Sequence, residues 1–113
     1  MPENLYLVFS KPPDRVSAEE YDRWYHAHVR ENIETPGFLS SMRYALDPGT
    51  RPLPGGFSHL AMYEYAGEYA PIAKGLEQRI ASGDIVLPEW FGEIGFGAVG
   101  CRPIDERAEP VRH

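Results

Sequence analysis

The sequence predicts an α+β fold in which a four-stranded antiparallel sheet carries two helices on one face. Three observations carry that prediction. Four short segments have strand composition, two longer segments carry apolar residues at helical spacing, and stretches bearing proline or glycine separate them. The resulting order is strand, helix, strand, strand, helix, strand.

The first strand is Leu5 to Ser10 (LYLVFS), rich in aromatic and branched residues and stopped by Pro12 and Pro13. Ser17 then starts a helix, with Glu20 three residues on in the capping-box arrangement, and Pro36 and Gly37 set its end near Glu34. At roughly 100° per residue, Tyr21, Trp24, Tyr25, His28, Val29 and Asn32 fall on one arc of roughly 140°. His28 sits near the centre of that stripe, and His26 points almost the opposite way.

Phe38 to Leu46 has strand composition, and the loop Asp47 to Gly56 holds three prolines and three glycines. In the third strand, Ser58 to Tyr65, alternation puts His59, Ala61, Tyr63 and Tyr65 on one face and Leu60, Met62 and Glu64 on the other. Neither face is plainly polar, which predicts that both are covered. A second helix from about Tyr69 to Ala81 has its own stripe of Tyr69, Ile72, Ala73, Leu76 and Ile80, with Gly83 as a stop. The last strand falls within Trp90 to Arg102, where Gly92, Gly95, Gly97 and Gly100 suggest bulges or close backbone approach. Residues 1–102 thus make one domain, and 103–113 form a polar, frayed tail.

This order is the split βαβ arrangement of ferredoxin-like folds. Helices on a single face leave Leu60 and Met62 on an uncovered second face, and a homodimer packed sheet against sheet would bury it.

Composition narrows the function classes. With 11 basic and 17 acidic residues the net charge is −6, which gives no attraction to nucleic acid. The longest apolar run, Leu5 to Phe9, is far short of the roughly 20 residues of a membrane span, and no basic segment precedes it as in a signal peptide. The expectation is a soluble cytoplasmic protein. Cys101 is the single cysteine, so an intrachain disulfide and a cysteine-based zinc site are excluded.

With WYHAHV in the first helix, the turn ETPGF and GFSHLAMYEY in the third strand, residues 4 to 102 resemble the dimeric α+β barrel superfamily. That superfamily includes EthD-like proteins, small polyketide cyclases such as olivetolic acid cyclase, methylmuconolactone isomerases and cofactor-free monooxygenases. The resemblance implies a dimer and a cleft between the helices and the concave sheet. By position, His28 matches a first-helix cleft residue that is histidine or tyrosine in several members, and His59 matches a third-strand histidine of olivetolic acid cyclase. Tyr6, Trp24 and Tyr63 would line the same cleft. The second helix holds no histidine, so the cyclase's catalytic pair in and near that helix has no counterpart.

If His28 and His59 face each other across the cleft, an imidazole titrating near its ordinary pKa of roughly 6.5 can take a proton from a carbon acid or return it. Tyr6 or Tyr63 could then hold the enolate or phenolate oxygen. The alternative for His28 is a core histidine satisfied by a backbone carbonyl. Arg43 is either a carboxylate-binding fork or a solvated cation, and Glu93 either a general base or a charge on the barrel rim. Trp24, Tyr25, Tyr63 and Tyr65 serve as core or as a platform for a flat, aromatic or lactone-like ligand.

No metal site is predicted, because His26 and His28 diverge on one helix and no third ligand is in register. A haem-degrading variant would use His28 as axial ligand. Phosphate loops and GxSxG elbows are missing from the sequence.

The leading expectation is therefore a cofactor-independent isomerase, cyclase or lyase. It would act on a small lactone, carbonyl or polyketide-like substrate through His28, with His59 and Tyr63 assisting and Tyr6, Trp24, Tyr25, Arg43 and Glu93 at the substrate. The alternatives are a cofactor-free monooxygenase acting on a phenol, and a non-catalytic small-molecule-binding or stress-associated barrel.

Overall fold

The structure is a computed structural model that describes residues 3–47, 49 and 51–111. Parts of the expected loop (residues 48 and 50) and of the expected tail (residues 112 and 113) lie outside the described residues.

The elements follow the expected order: β1 (Asn4–Lys11), α1 (Ala18–Asn32), β2 (Phe38–Ala45), β3 (His59–Tyr65), α2 (Tyr69–Ser82) and β4 (Gly95–Cys101). All strand pairs are antiparallel, in the order β2-β3-β1-β4. The last strand falls within Trp90 to Arg102 as expected, at Gly95–Cys101. Phe91–Glu93 form a 3₁₀ turn ahead of it, with Glu93 N–H donating to the Trp90 carbonyl at 2.9 Å and Ile94 N–H to that of Phe91 at 3.2 Å.

The helix boundaries have local causes. Ser17 caps α1 by accepting from Glu20 N–H at 3.1 Å, with Glu19 and Glu20 complementing the positive end of the helix. Gly83, at φ +88°, closes α2 by donating its N–H to the Ile80 carbonyl. Gly37 turns the chain into β2 at φ +108°, and a Cβ there would meet the side chain of Ile72 at 2.5 Å, so α2 sits directly on this turn.

The α1 stripe packs as its spacing predicts. Tyr21, Tyr25, His28 and Val29 are buried, and Tyr21, Tyr25 and Val29 join Ala61 and Tyr63 of the sheet, Trp90 and Ile94 in one core cluster. Trp90 is fixed at this interface by donating Nε1–H to Glu20 at 3.2 Å. In α2 only Ile72 is buried. Ile80, expected on the packed stripe, is an exposed residue.

Register separates the two sheet faces. Tyr6 pairs with Tyr63, Val8 with Ala61 and Ser10 with His59 on the helix side. Leu7 with Met62, Met42 with Met62, and Tyr44 with Leu60 lie on the other. On that outer face Met42, Tyr44 and Val99 remain 55%, 43% and 50% exposed, so within one chain the expectation that both faces are covered is not met. Phe57 reaches over Gly97 and Phe9 and covers one corner of it.

Candidate active site

Between the helices and the concave sheet lies a cavity of about 280 Å³. Strand alternation supplies its floor, since Tyr6, Val8, Tyr63 and Ala98 all point to the helix side. Tyr25, His28 and Asn32 enter from α1 at helical spacings of three and four, and Tyr69 and Leu76 enter from α2. Phe38, Phe91 and Phe96 complete the walls, with the rings of Phe91 and Phe96 5.4 Å apart. Every lining side chain is uncharged or, for His28, neutral at ordinary pH.

His28 is held rigidly. Its ring stacks on Trp24 at 4.6 Å and 23°, and Tyr25 and Phe91 approach edge-on at 5.8 and 6.2 Å. Burial depresses its pKa from 6.5 to about 4, since this aromatic enclosure cannot solvate an imidazolium. Nδ1 is shut off from solvent with no hydrogen-bond partner and lies 4.0 Å from the Glu31 carboxylate. By elimination, Nε2 is the ring nitrogen that a molecule in the cavity can reach.

The tyrosines supply protonated hydroxyls. Tyr63 Oη accepts from Asn32 Nδ2 at 3.0 Å, which leaves its own O–H free to donate. Burial pushes the Tyr63 phenol up to about 12 despite that bond, and it also raises Tyr25 and Tyr69. Tyr6 and Tyr69 stack at 4.1 Å and 17° as one aromatic wall. A neutral base, neutral donors and apolar walls in one cavity suit the removal of a proton from an uncharged molecule.

The expected site residues divide into three places. His28, Tyr63, Tyr6 and Tyr25 line the cavity, and Trp24 supports His28 from behind. His59 does not face His28. It shares the correct sheet face with Tyr63 but lies four residues away, roughly 13 Å along the strand. There its Nε2 meets Asp22 Oδ1 at 3.2 Å and its Nδ1 meets Ser58 Oγ at 2.7 Å. Arg43 joins the same cluster, donating to Asp22 Oδ1 at 2.7 Å while its guanidinium lies 4.9 Å from the centre of the Tyr25 ring. This neighbour holds the Asp22 carboxyl below the usual range. Glu93 is remote from both, paired with Arg15 through bonds of 2.9 and 2.6 Å at the surface, because it belongs to the 3₁₀ turn rather than to a strand facing the cavity.

Asn32 was visible on the α1 stripe but not as a site residue, and its partner lies 31 residues away. Phe91 opens the 3₁₀ turn and Phe96 lies in β4, and neither was singled out in the sequence, while Tyr69 and Leu76 were legible only as a packing stripe. Among the described residues no cluster of three or more histidine, cysteine or acidic side chains could hold a metal. No helix of the described chain is long and apolar enough to cross a membrane.

No protein-family model and no curated protein sequence matches the chain. Solved structures do. A putative monooxygenase from Shewanella loihica is 16% identical over 94% of this chain and 99% of its own, with a TM-score of 0.60. A dimeric ferredoxin-like protein of unknown function from Thermobifida fusca is 14% identical over 88% and 89%, with a TM-score of 0.58. SnoaB, a cofactor-independent oxygenase from Streptomyces nogalater, is 10% identical over 95% and 99%, also with a TM-score of 0.58. At these identities the shared property is architecture: the chain adopts a ferredoxin-like α+β fold.

Proposed function

We propose that this protein is an enzyme of proton transfer whose substrate is a small, flat, uncharged carbonyl or phenolic compound, and that His28 is its base. The observation that carries this reading is a neutral imidazole set in the wall of an aromatic cavity that Tyr63, with its O–H left to donate, also lines.

In this reading His28 Nε2 takes a proton from a carbon next to a carbonyl, or from a phenol. Tyr63 donates its O–H to the oxygen that becomes negative, and Asn32 holds Tyr63 in place. The high pKa of Tyr63 keeps it a donor rather than an anion. The low pKa of His28 ensures an unprotonated resting state, and the substrate anion formed beside the imidazolium offsets the desolvation that otherwise disfavours the charge. Return of the proton to another carbon gives isomerisation, and loss or attack within the anion gives elimination or cyclisation. Every one of these steps moves only protons and the substrate's own bonds, and none calls on a cofactor.

The uncharged lining selects against carboxylate substrates, since no cation would repay their desolvation. Calorimetric titration with naphthol and with naphthoate, two fused-ring ligands of similar size, tests this. Saturable binding of naphthol with naphthoate at least tenfold weaker supports the reading, and preference for the carboxylate contradicts it.

A second reading is supported by the oxygenases among the structural relatives: a phenolate formed by His28 reacts with molecular oxygen as co-substrate. An oxygen electrode during turnover separates the two, because isomerisation and cyclisation consume none. In either case a homodimer joined through the outer sheet face accounts for the exposed Met42, Tyr44 and Val99, and the relative described as dimeric supports it.

A further inference from the structure

We infer that Glu31 is the positioning residue of this site: its carboxylate selects the His28 tautomer that carries the proton on Nδ1, so that Nε2 faces the cavity as an acceptor. The catalytic consequence rests on the reading of His28 as a base, whereas the tautomer itself does not.

Neutral imidazole has one donor and one acceptor nitrogen, and its surroundings decide which is which. Around His28 the packed groups are almost all apolar faces or edges: Trp24 and Tyr25 from α1 and Phe91 from the 3₁₀ turn. None of these ring contacts offers an anionic acceptor. The exception is the Glu31 carboxylate, one helical turn on, with Oε1 4.0 Å from Nδ1. Nδ1 has no other partner and no solvent, so a lone pair there would face a carboxylate across a dry gap, whereas an N–H there points its positive end at it. The Glu31 side chain makes no other hydrogen bond or ion pair among the described residues and is free to close the remaining distance.

Two consequences follow. Without the carboxylate, the imidazole could as well carry its proton on Nε2, where it would donate into the cavity and cease to be a base. When His28 does take a proton, the new imidazolium has the Glu31 carboxylate on its Nδ1 side, 4.0 Å away. His28 and Glu31 lie at i and i+3, so one helix sets the geometry of both.

The test is nitrogen-detected NMR of histidine-labelled protein near pH 7, with the His28 signals assigned by their loss in His28→Phe. The expected wild-type pattern is a protonated Nδ1 and an unprotonated Nε2. Glu31→Leu should move the population at least fivefold toward the Nε2-protonated form. Glu31→Gln, whose amide oxygen can still accept from Nδ1–H, should keep the tautomer while lowering turnover without a matching rise in KM. A wild-type ring protonated on Nε2, or a ring unchanged in Glu31→Leu, overturns the inference. If Glu31→Leu does not fold, the wild-type pattern and Glu31→Gln decide it. Failure of the proton-transfer reading would instead show as missing turnover with the Nδ1-protonated tautomer intact.

Discussion

Asn32 of α1 donates to the hydroxyl of Tyr63 in β3 across 3.0 Å, and this one bond joins helix to sheet inside the cavity. It satisfies one lone pair of a buried phenol and aims the remaining proton. Asn32→Ala removes the donor and leaves that oxygen short of a partner, at an expected cost of about 1–2 kcal/mol. Urea denaturation at neutral pH should show a lower midpoint with an unchanged slope. An unaltered midpoint would mean that the bond does not hold the two elements together.

His28 makes stability depend on pH with a definite sign. Its folded-state pKa is depressed to about 4 from an ordinary value of 6.5, so between those limits the unfolded chain holds a proton that the folded chain lacks. Stability therefore falls as pH drops from 6.5 toward 4, and it is insensitive to this residue above that window. His28→Phe removes the linkage. Between pH 7 and pH 4 the wild type should lose roughly 3 kcal/mol more than the variant, as measured by denaturant unfolding at both pH values.

Gly37 tests how closely α2 sits on the sheet. At φ +108° with the Ile72 side chain 2.5 Å from a built Cβ, Gly37→Ala meets backbone strain and a steric clash together. The expected loss is about 2–5 kcal/mol. Thermal unfolding would reveal it, and a variant as stable as wild type would show that α2 can shift freely.

The outer sheet face gives a prediction about assembly. Met62 lies there between Leu7 and Met42, so Met62→Lys should place a charge in the middle of the proposed interface. Sedimentation at micromolar concentration should give twice the 12.8 kDa chain mass for wild type and a shift toward one chain for the variant. A wild type that sediments as a single chain removes the dimer.

Much of this arrangement was legible in the residues. The capping pair Ser17 and Glu20, the stop at Gly83 and the alternation of Tyr63 with its neighbours depend on local geometry, and each sits where spacing put it. His28 at the centre of an aromatic stripe was equally local, because one helix determines which residues share its face. His59 was misplaced for a physical reason: a period of two gives the face of a strand but not how far along the strand a cavity extends. Glu93 was left as a general base or a rim charge because glycines obscured where β4 begins, and the 3₁₀ turn there sends its carboxylate to Arg15 at the surface, away from the cavity. The Asn32–Tyr63 bond and the uncharged lining arise from residues distant in sequence, which no local pattern encodes.

The most direct test of the central claim is the exchange of a carbon-bound proton with solvent, because it needs no knowledge of the natural substrate. In D₂O at neutral pH, NMR can follow the α-proton signal of α-tetralone, a neutral fused-ring ketone, with wild type and with His28→Ala. If His28 is a base facing the cavity, wild type should speed the loss of that signal well above the buffer rate, and His28→Ala should return it to the buffer rate. Exchange at the buffer rate with wild type, or undiminished exchange with His28→Ala, would contradict the account.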